Sequence, residues 1–254
     1  LGLSENKTEL LVVFSKSGRV IVAESVGAQN ITALAKRDQG RPKRDAFVGM
    51  LPPKLAQIML NLALGERYNS PATVLDPFCG TGVLLQEALL MGYSVYGSDL
   101  NPKMVDYTKV NLQWLQKNNR HLGTVKDIRE GDATTFSWKE APKLQAVVCE
   151  TYLGQPFSAP PSPAKLAEVR RTCNAIITSF LKNIGGQIPS GTPLCLAIPA
   201  WRDKNGHFSH LPLVQSLSEL GYESATLTTV EPQQLLYFRE DQVVARQLLV
   251  IKKR

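Results

Sequence analysis

The stretch TVLDPFCGTGVLLQEALL at residues 73–90 decides the fold of this chain. A short apolar run ends in an acid, Asp76, a Gly-Thr-Gly turn follows, and a helix-like apolar pattern begins after the turn. In a strand–turn–helix unit of this kind, the turn lies at the carboxyl end of a parallel strand, where α/β proteins bind small ligands. The stretch therefore predicts the first strand of a doubly wound sheet, with a ligand site at its tip.

Strand-like and helix-like segments alternate from this stretch towards the C-terminus. The predicted strands that follow are 94–100, 144–150, 193–199, 223–230 and 242–253, and the predicted helices are 81–92, 101–118, 162–186 and 211–222. Strands separated by helices predict a parallel sheet. The last two strands are joined by a polar stretch that is too short for a helical crossover, so we expect an antiparallel pair there. The predicted fold class is α/β: a Rossmann-like, doubly wound, mostly parallel sheet with an antiparallel C-terminal strand.

The N-terminal part of the chain has a different pattern. Residues 9–26 contain two β-rich runs around a Ser-Gly turn and predict a short β-hairpin. Residues 36–45 are polar and basic, and 52–64 begin with prolines and then show helical apolar spacing. We therefore expect a hairpin and basic linker at 1–45, followed by an α/β domain at 46–254.

Composition limits the class of protein. Apolar residues make up 43% of the 254 residues, which is enough for a packed core, and no run approaches the ~18 apolar residues of a membrane helix. The four cysteines form no CxxC pair and have no histidine at metal-ligand spacing, so we expect no metal and a reducing, cytoplasmic setting. The net charge of +7 is compatible with a polyanionic partner and equally with an ordinary basic protein. Because the chain begins with Leu1, we expect it to be part of a longer protein.

The turn after the first strand argues against a dinucleotide site. A GxGxxG fingerprint would need glycine where Leu85 stands, and an acid at the strand tip would repel a pyrophosphate. S-adenosylmethionine carries an ammonium and a sulfonium group and no phosphate, so Asp76 favours it. Gly80 and Gly82 would let the backbone approach this cofactor closely.

Two further acids follow the next predicted strand and turn. Asp99 lies at the strand end, where folds of this class place an acid on the ribose hydroxyls, and Asp132 follows near the expected adenine edge. Each acid by itself could instead cap a helix. Three of them in order, each at the carboxyl end of a strand, indicate a cofactor site.

Three segments of the sequence carry a family resemblance: DPFCGTG at 76–82, GSDLNP at 97–102 and RPKRDAFVGMLPPKLAQIMLNLA at 41–63. From about residue 36 to the C-terminus, the chain resembles the catalytic domain of archaeal and eukaryotic tRNA guanosine-N2 methyltransferases. These are class I S-adenosylmethionine-dependent enzymes that often carry an RNA-binding THUMP domain ahead of the catalytic one. The hairpin at 10–24 is too short for such a domain, so the resemblance implies that an upstream RNA-binding domain is missing from this chain.

The resemblance also implies which residues surround the cofactor. Residues near Met50 and Leu51 would help to close over the methionine end. Together with the acids and glycines above, the expected cofactor site consists of Met50, Leu51, Asp76, Phe78, Cys79, Gly80, Thr81, Gly82, Asp99, Leu100, Asp132, Ala133 and Glu150.

The fourth strand departs from the family pattern. In the family this strand ends Asp-Pro-Pro-Tyr, whose acid and a proline carbonyl accept hydrogen bonds from the target amine, while the tyrosine stacks on the flipped base. Here the sequence is CETYLG at 149–154. We align Glu150 with the acid, which leaves Thr151 and Tyr152 in place of the prolines; aligning Tyr152 with the stacking residue would instead leave Cys149 in place of the acid. A helix cap or the partner of a nearby cation is the alternative role for Glu150.

The sequence thus predicts an S-adenosylmethionine-dependent methyltransferase that acts on an RNA base nitrogen, most plausibly guanosine N2 in tRNA. Glu150 and Tyr152 are the expected catalytic residues. Arg41, Arg44 and Phe157 are expected to bind the substrate, although the basic segment could be a solvated loop and Phe157 plain core. Two alternatives stay open at this point: a cofactor-binding RNA module without catalysis, and a methyltransferase for a small-molecule or protein amine.

Overall fold

The protein is described from a computed structural model. The structure describes residues 8–45, 51–65, 72–138, 144–225, 230 and 235–254. Its contacts divide the chain into two compact units, residues 1–40 and residues 41–254. The predicted domain boundary after residue 45 stays a prediction.

The first unit contains a β-hairpin and one helix. Strands β1 (Leu10–Phe14) and β2 (Val20–Glu24) pair antiparallel, and the turn between them contains Gly18 at a positive φ of 78°. The hairpin is the one that the sequence predicts. Helix α1 (Ile31–Gln39) follows, and the Asn30 side chain caps its N-terminus by accepting from the N–H of Ala33. The prediction of a polar linker is therefore wrong for residues 36–39, which form the C-terminal part of α1.

The second unit alternates strands and helices, as expected. Its helices in the described residues are α2 (Pro53–Leu64), α3 (Val83–Leu90), α4 (Pro102–Asn118) and α5 (Pro163–Gly185). Its strands are β3 (Thr73–Asp76), β4 (Ser94–Asp99), β5 (Val125–Glu130), β6 (Ala146–Glu150), β7 (Pro193–Arg202), β8 (Phe208–Ser209), β9 (Tyr222–Ser224), β10 (Leu236–Tyr237) and β11 (Val244–Lys253).

The strands form one sheet in the order β10-β11-β7-β6-β3-β4-β5, with β8 beside β7 and β9 beside β11. The pairs from β7 to β5 are parallel, and β11 pairs antiparallel with β7, β9 and β10. This confirms the predicted fold class. Because β11 runs against β7, the N-terminal end of β11 lies at the same edge of the sheet as the carboxyl ends of the parallel strands.

Both faces of the sheet are covered, which is why the central strands are apolar throughout. Helices α2, α3 and α4 pack on one face, against side chains such as Val74 and Val148. Helix α5 packs on the other face, against side chains such as Leu75 and Val147. In the described residues, no helix is long and apolar enough to cross a membrane.

Two local predictions differ from the structure. The expected helix at 211–222 is a 3-10 turn at Pro212–Gln215, in which the N–H of Ser216 donates to the carbonyl three residues back, that of Leu213, and the segment ends at Gly221, which has a positive φ of 81°. Strand β5 is absent from the sequence prediction, since its alternation of exposed and buried residues includes four charged side chains. It forms at the edge of the sheet, where only one side needs a backbone partner.

Candidate active site

The carboxyl ends of the parallel strands open into one cleft of about 760 Å³. The loops after β3, β4, β5 and β6 line it, together with Leu51, Met104 on α4 and two residues of α5, Thr172 and Ile176. The cleft brings together most of the residues that the sequence singles out. They are Leu51, Asp76, Phe78, Cys79, Gly80, Thr81, Asp99, Leu100, Asp132, Ala133, Glu150 and Tyr152. Met50 lies outside the described residues.

Asp76 is the most buried acid of the cleft, with 3% of its surface exposed. One of its carboxylate oxygens accepts from the N–H of Phe78 at 3.1 Å. Burial raises the pKa of Asp76 well above its usual range, and the negative charges of Asp99 and Glu150 raise it further, against the opposing effect of that hydrogen bond. A cation in the cleft would reverse this penalty, so the acid favours a positively charged ligand.

The two glycines of the turn differ in their surroundings. Gly80 lines the cleft at a positive φ of 52°, and its carbonyl accepts from the hydroxyl of Thr108 at 2.8 Å. Gly82 has a φ of 80°, and a Cβ there would lie 3.0 Å from the Thr108 side chain. Gly82 is not among the described residues that line the cleft. The absent side chain of Gly82 lets α4 approach the turn, and the expected cofactor contact of Gly82 stays a prediction.

Asp99 organises the loop that follows β4. Its carboxylate accepts from the N–H of Gly80 at 2.8 Å and from the N–H of Asn101 at 2.9 Å. Burial raises the pKa of Asp99, and these two N–H groups oppose the rise. The acid thus joins the loops after β3 and β4 and lines the cleft beside Leu100, which is 68% exposed.

Leu85 stands where a dinucleotide fingerprint would have its third glycine. In such a fingerprint this glycine allows close packing of helix on strand. Here Leu85 is fully buried, and a Cβ added at Gly97 of β4 would lie 2.6 Å from its side chain. In this contact the glycine, Gly97, is on strand β4 and the large residue, Leu85, is on helix α3. The helix therefore packs closely on the sheet although the glycine fingerprint for phosphate binding is absent from this turn.

Asp132 is exposed and makes an Asx-type turn. Its carboxylate accepts from the N–H and the hydroxyl of Thr134, at 2.8 and 2.7 Å. The acid lines the cleft together with buried Ala133. Both hydrogen bonds are accepted by Oδ1 of Asp132. This oxygen therefore holds the loop at residues 132–134 in place at this end of the cleft.

Glu150, at the end of β6, lines the cleft and forms an ion pair with Arg246 of β11. Nε of Arg246 donates to one carboxylate oxygen at 2.7 Å and Nη2 donates to the other at 3.3 Å. The side chains are 9% and 13% exposed for Arg246 and Glu150. Burial raises the pKa of Glu150, and the charge and hydrogen bonds of Arg246 oppose this rise. Within the described residues, no group of His, Cys, Asp and Glu is arranged to bind a metal ion.

The two aromatic residues proposed for base stacking occupy different environments. Tyr152 lines the cleft and is 46% exposed. Phe157 is half-buried against the core on the α5 side and is not among the described residues that line the cleft. Phe157 thus packs against the core, as in the alternative role given above, and its contact with a substrate stays a prediction.

The basic segment does not present all its cations to solvent. Arg41 is 3% exposed, so the surface contact with RNA that we expected of it is replaced by burial of the guanidinium. Arg44 is exposed. The backbone of Lys43 exchanges two hydrogen bonds with the Asn111 side chain on α4, both at 2.9 Å, and Lys103 forms an ion pair with Asp45 at 3.1 Å.

Two groups of functional residues were missed in the sequence. Thr108 and Asn111 lie one turn apart on α4 and bind the loop after β3, with the amide of Asn111 donating to the carbonyl of Thr81 at 2.8 Å. Arg246 could have been noticed, because a charge inside the apolar run VVARQLLVI must find a partner when the strand is buried.

The geometry is accompanied by sequence similarity to known proteins. The family described as RMKL-like, methyltransferase domain (UPF0020) matches residues 41–166. A tRNA (guanine(10)-N2)-dimethyltransferase from Methanothermobacter thermautotrophicus is 32% identical over 172 residues, which cover 65% of this chain and 44% of that protein. One from Pyrococcus abyssi is 43% identical over 93 residues, 36% of this chain and 24% of that protein. The alignments thus span less than half the length of these relatives.

Solved structures resemble the fold at low sequence identity. TrmN from Thermus thermophilus is 18% identical with a TM-score of 0.52, over 92% of this chain and 57% of that one. Magnesium protoporphyrin IX methyltransferase (ChlM) from Synechocystis PCC 6803 with bound SAH is 14% identical with a TM-score of 0.55, over 88% and 94% of the two chains. At these identities the likeness shows the fold alone, a Rossmann-like sheet shared with methyltransferases.

Proposed function

We propose, from the match of residues 41–166 to the RMKL-like methyltransferase domain, that the chain transfers a methyl group from S-adenosylmethionine to a base nitrogen of tRNA. The observation that carries the proposal is the single cleft lined by Asp76, Asp99, Asp132 and Glu150, with exposed Tyr152 at the same opening. Guanosine N2 is the target we propose, since the similar archaeal proteins are named for that position.

The described residues fit this cofactor. When bound, S-adenosylmethionine supplies a methyl group that is activated by a positive sulfonium. Asp76 would attract the cationic methionine end, because its buried carboxylate gains most from a positive neighbour. Asp99 would accept from the ribose hydroxyls with its remaining lone pairs, and Leu100 and Asp132 would border the adenine.

The substrate side of the cleft requires a different chemistry. The lone pair of an exocyclic amine is delocalised into the ring, so the amine is a weak nucleophile. The Glu150 carboxylate would accept a hydrogen bond from the amine and orient its lone pair towards the methyl group. Tyr152 would stack on the base once the base has left its helix. In a direct displacement the amine nitrogen would gain the methyl group as its bond to sulfur breaks, leaving S-adenosylhomocysteine, and the proton lost from the nitrogen would pass to water, with no covalent enzyme intermediate.

Arg44 supports an RNA partner. It is exposed and follows the segment that Asn111 fixes against the loop after β3. A cation in this position would contact a phosphate of the RNA that delivers the base.

A second candidate function is a cofactor-binding RNA module without catalysis. It is favoured by one observation: both oxygens of Glu150 already accept from Arg246. Catalysis remains the preferred proposal, since each carboxylate oxygen has a further lone pair and the side chain lines the cleft.

The test is incubation of the protein with methyl-tritiated cofactor and total tRNA, followed by nucleoside analysis. We expect label in N2-methylated guanosine for the parent protein. Glu150→Ala should lose about 100-fold in turnover, the usual scale for one positioned polar group. Glu223→Ala is the matched control, because Glu223 is an exposed acid on β9 that pairs with Lys252 outside the cleft. Cofactor binding without transfer to any tRNA would instead support the binding module.

A further inference from the structure

Arg246 binds the Glu150 carboxylate, and the proposed reaction as described so far gives Arg246 no role. We propose that Arg246 is a positioning residue that fixes the orientation of the Glu150 carboxylate towards the substrate amine. The inference rests on the proposed function and extends it to a residue on the last strand of the chain, which lies outside the segment 41–166 that matches the methyltransferase family.

The sheet register explains how two strands that are not neighbours share this contact. Glu150 of β6 lies beside Ala197 of β7, and Arg246 of β11 lies opposite Pro199 of β7. Residues that are paired in register, or separated by two along a strand, point to the same face of a sheet. Ala197 carries only a methyl group between the two charged side chains. The long arginine side chain can therefore cross β7 and reach the carboxylate.

The ion pair restricts Glu150 without closing it off. Nε and Nη2 of Arg246 take one lone pair on each oxygen, in the two-point arrangement that a guanidinium makes with a carboxylate. A glutamate has three rotatable side-chain bonds, so without this contact its carboxylate would sample several positions. The remaining lone pairs stay available on a side chain that lines the cleft. A fixed acceptor of this kind is what an amine needs for alignment.

The charges around Glu150 give the pair a second consequence. Among the described residues, the charged group that shifts the pKa of Glu150 is Arg246 from β11, and the charge of Glu150 in turn raises the pKa of Asp76 from β3. Burial favours the protonated carboxyl of Glu150, and Arg246 favours the carboxylate. A protonated Glu150 would keep only part of its acceptor capacity. Loss of Arg246 should therefore move the acidic limb of the pH–rate profile to higher pH.

The experiment measures single-turnover methylation of tRNA against pH for Arg246→Gln, Arg246→Lys and the parent. For Arg246→Gln we expect turnover at neutral pH to fall about 10- to 100-fold, the scale of a displaced reacting group, with partial recovery at higher pH. Arg246→Lys keeps the charge and loses the two-point contact, so its pH profile should stay close to the parent's while its rate falls. Lys252→Gln is the control, because it removes a half-buried cation of the same strand that pairs with Glu223 and does not line the cleft.

A double-mutant cycle separates positioning from a purely structural role. If Arg246 acts through Glu150, then Arg246→Gln should change the turnover of Glu150→Gln by no more than about twofold, because residues that act through one contact are not additive. Cofactor affinity and melting temperature, measured for each variant, identify unfolding. Arg246→Lys and the double variant keep the test open if Arg246→Gln does not fold, since neither leaves a buried carboxylate without a counter-charge.

Four outcomes would overturn the inference. Two of them require an active parent and refute the positioning role while leaving the proposed function intact. One is a pH–rate profile of Arg246→Gln that does not differ from the parent's. The other is a loss of turnover on Arg246→Gln that is equal with and without the Glu150 carboxylate. A turnover in Arg246→Gln equal to that of Lys252→Gln also refutes the positioning role alone. A parent that binds the cofactor and methylates no tRNA refutes the proposed function, and the positioning role with it.

Discussion

Replacing Asn111 by alanine should destabilise the protein more than any surface change on the same helix. Asn111 is fully buried on α4 and makes three hydrogen bonds to backbone groups. Its Oδ1 accepts from the N–H of Lys43, and its Nδ2 donates to the carbonyls of Lys43 and Thr81. One side chain therefore joins the segment before α2 to the loop after β3.

The magnitude depends on which of the three partners can find water. Lys43 is half-buried, so solvent can replace its two bonds in part, whereas Thr81 is 6% exposed and its carbonyl would lose its partner. An unsatisfied buried group costs about 1–3 kcal/mol, and the small cavity adds to this. We expect Asn111→Ala to lower the free energy of unfolding by about 2–4 kcal/mol, which for a chain of this size lowers Tm by about 5–12 °C.

The assay is urea or thermal unfolding of Asn111→Ala beside a matched control, Asn118→Ala. Asn118 lies on the same helix, is exposed and donates only to the carbonyl of Trp114. Its loss should cost less than about 0.5 kcal/mol. Trypsin adds a second readout, since release of Lys43 should speed cleavage at Lys43 and Arg44. Equal stabilities of the two variants, with equal trypsin rates, would refute the bridging role of Asn111.

Three further predictions concern the cleft and its basic border. Gly82→Ala should destabilise more than Gly92→Ala by about 1–3 kcal/mol in urea unfolding, since both glycines have a positive φ but only a Cβ at 82 meets Thr108; equal losses would reduce the effect to backbone strain. Asp76→Asn should raise Tm at pH 7 and weaken binding of S-adenosylmethionine. Because the pKa of Asp76 is raised in the folded protein, unfolding releases its proton, and the stability of the parent falls as pH rises from the usual carboxyl pKa to the raised pKa. The Tm gain of the variant should therefore disappear below the usual carboxyl pKa. A Tm gain that does not vary with pH would contradict this cause. Arg44→Glu should weaken tRNA binding and make its salt dependence shallower by about one unit of slope, whereas reversal of exposed Lys117 at the far end of α4 should not; equal slopes would remove Arg44 from the RNA-binding surface.

The sequence by itself determined the elements whose signals are local. The apolar run before Asp76 and the glycines after it predicted a strand, a turn and a helix, and the structure contains β3 and α3 around that turn. The acids at the strand ends predicted one shared site, because carboxyl ends of parallel strands meet at one edge of a sheet. The hairpin at 10–24 could also be predicted from the sequence, because its two β-rich runs and the turn between them lie within fifteen residues.

Only the tertiary structure decided which of these side chains are available. Arg41 and Arg44 look alike in the sequence, yet Arg41 is buried and Arg44 is exposed, because packing and not residue type sets the exposure of a long side chain. The helix expected at 211–222 is a 3-10 turn followed by a further turn, in which N–H groups such as those of Ser216 and Gly221 donate to carbonyls three residues back. A periodic apolar pattern does not distinguish this hydrogen-bond spacing from that of an α-helix.

The partner of Glu150 is the clearest case. Local sequence left three roles for this acid: a substrate contact, a helix cap or the partner of a cation. Arg246 lies 96 residues away along the chain, and it reaches Glu150 because the antiparallel β11 returns its N-terminal end to the carboxyl edge of the sheet, across the small side chain of Ala197. A contact between non-adjacent strands depends on strand order and register together. Both are set by packing of the whole sheet, and neither is encoded in the residues around either partner.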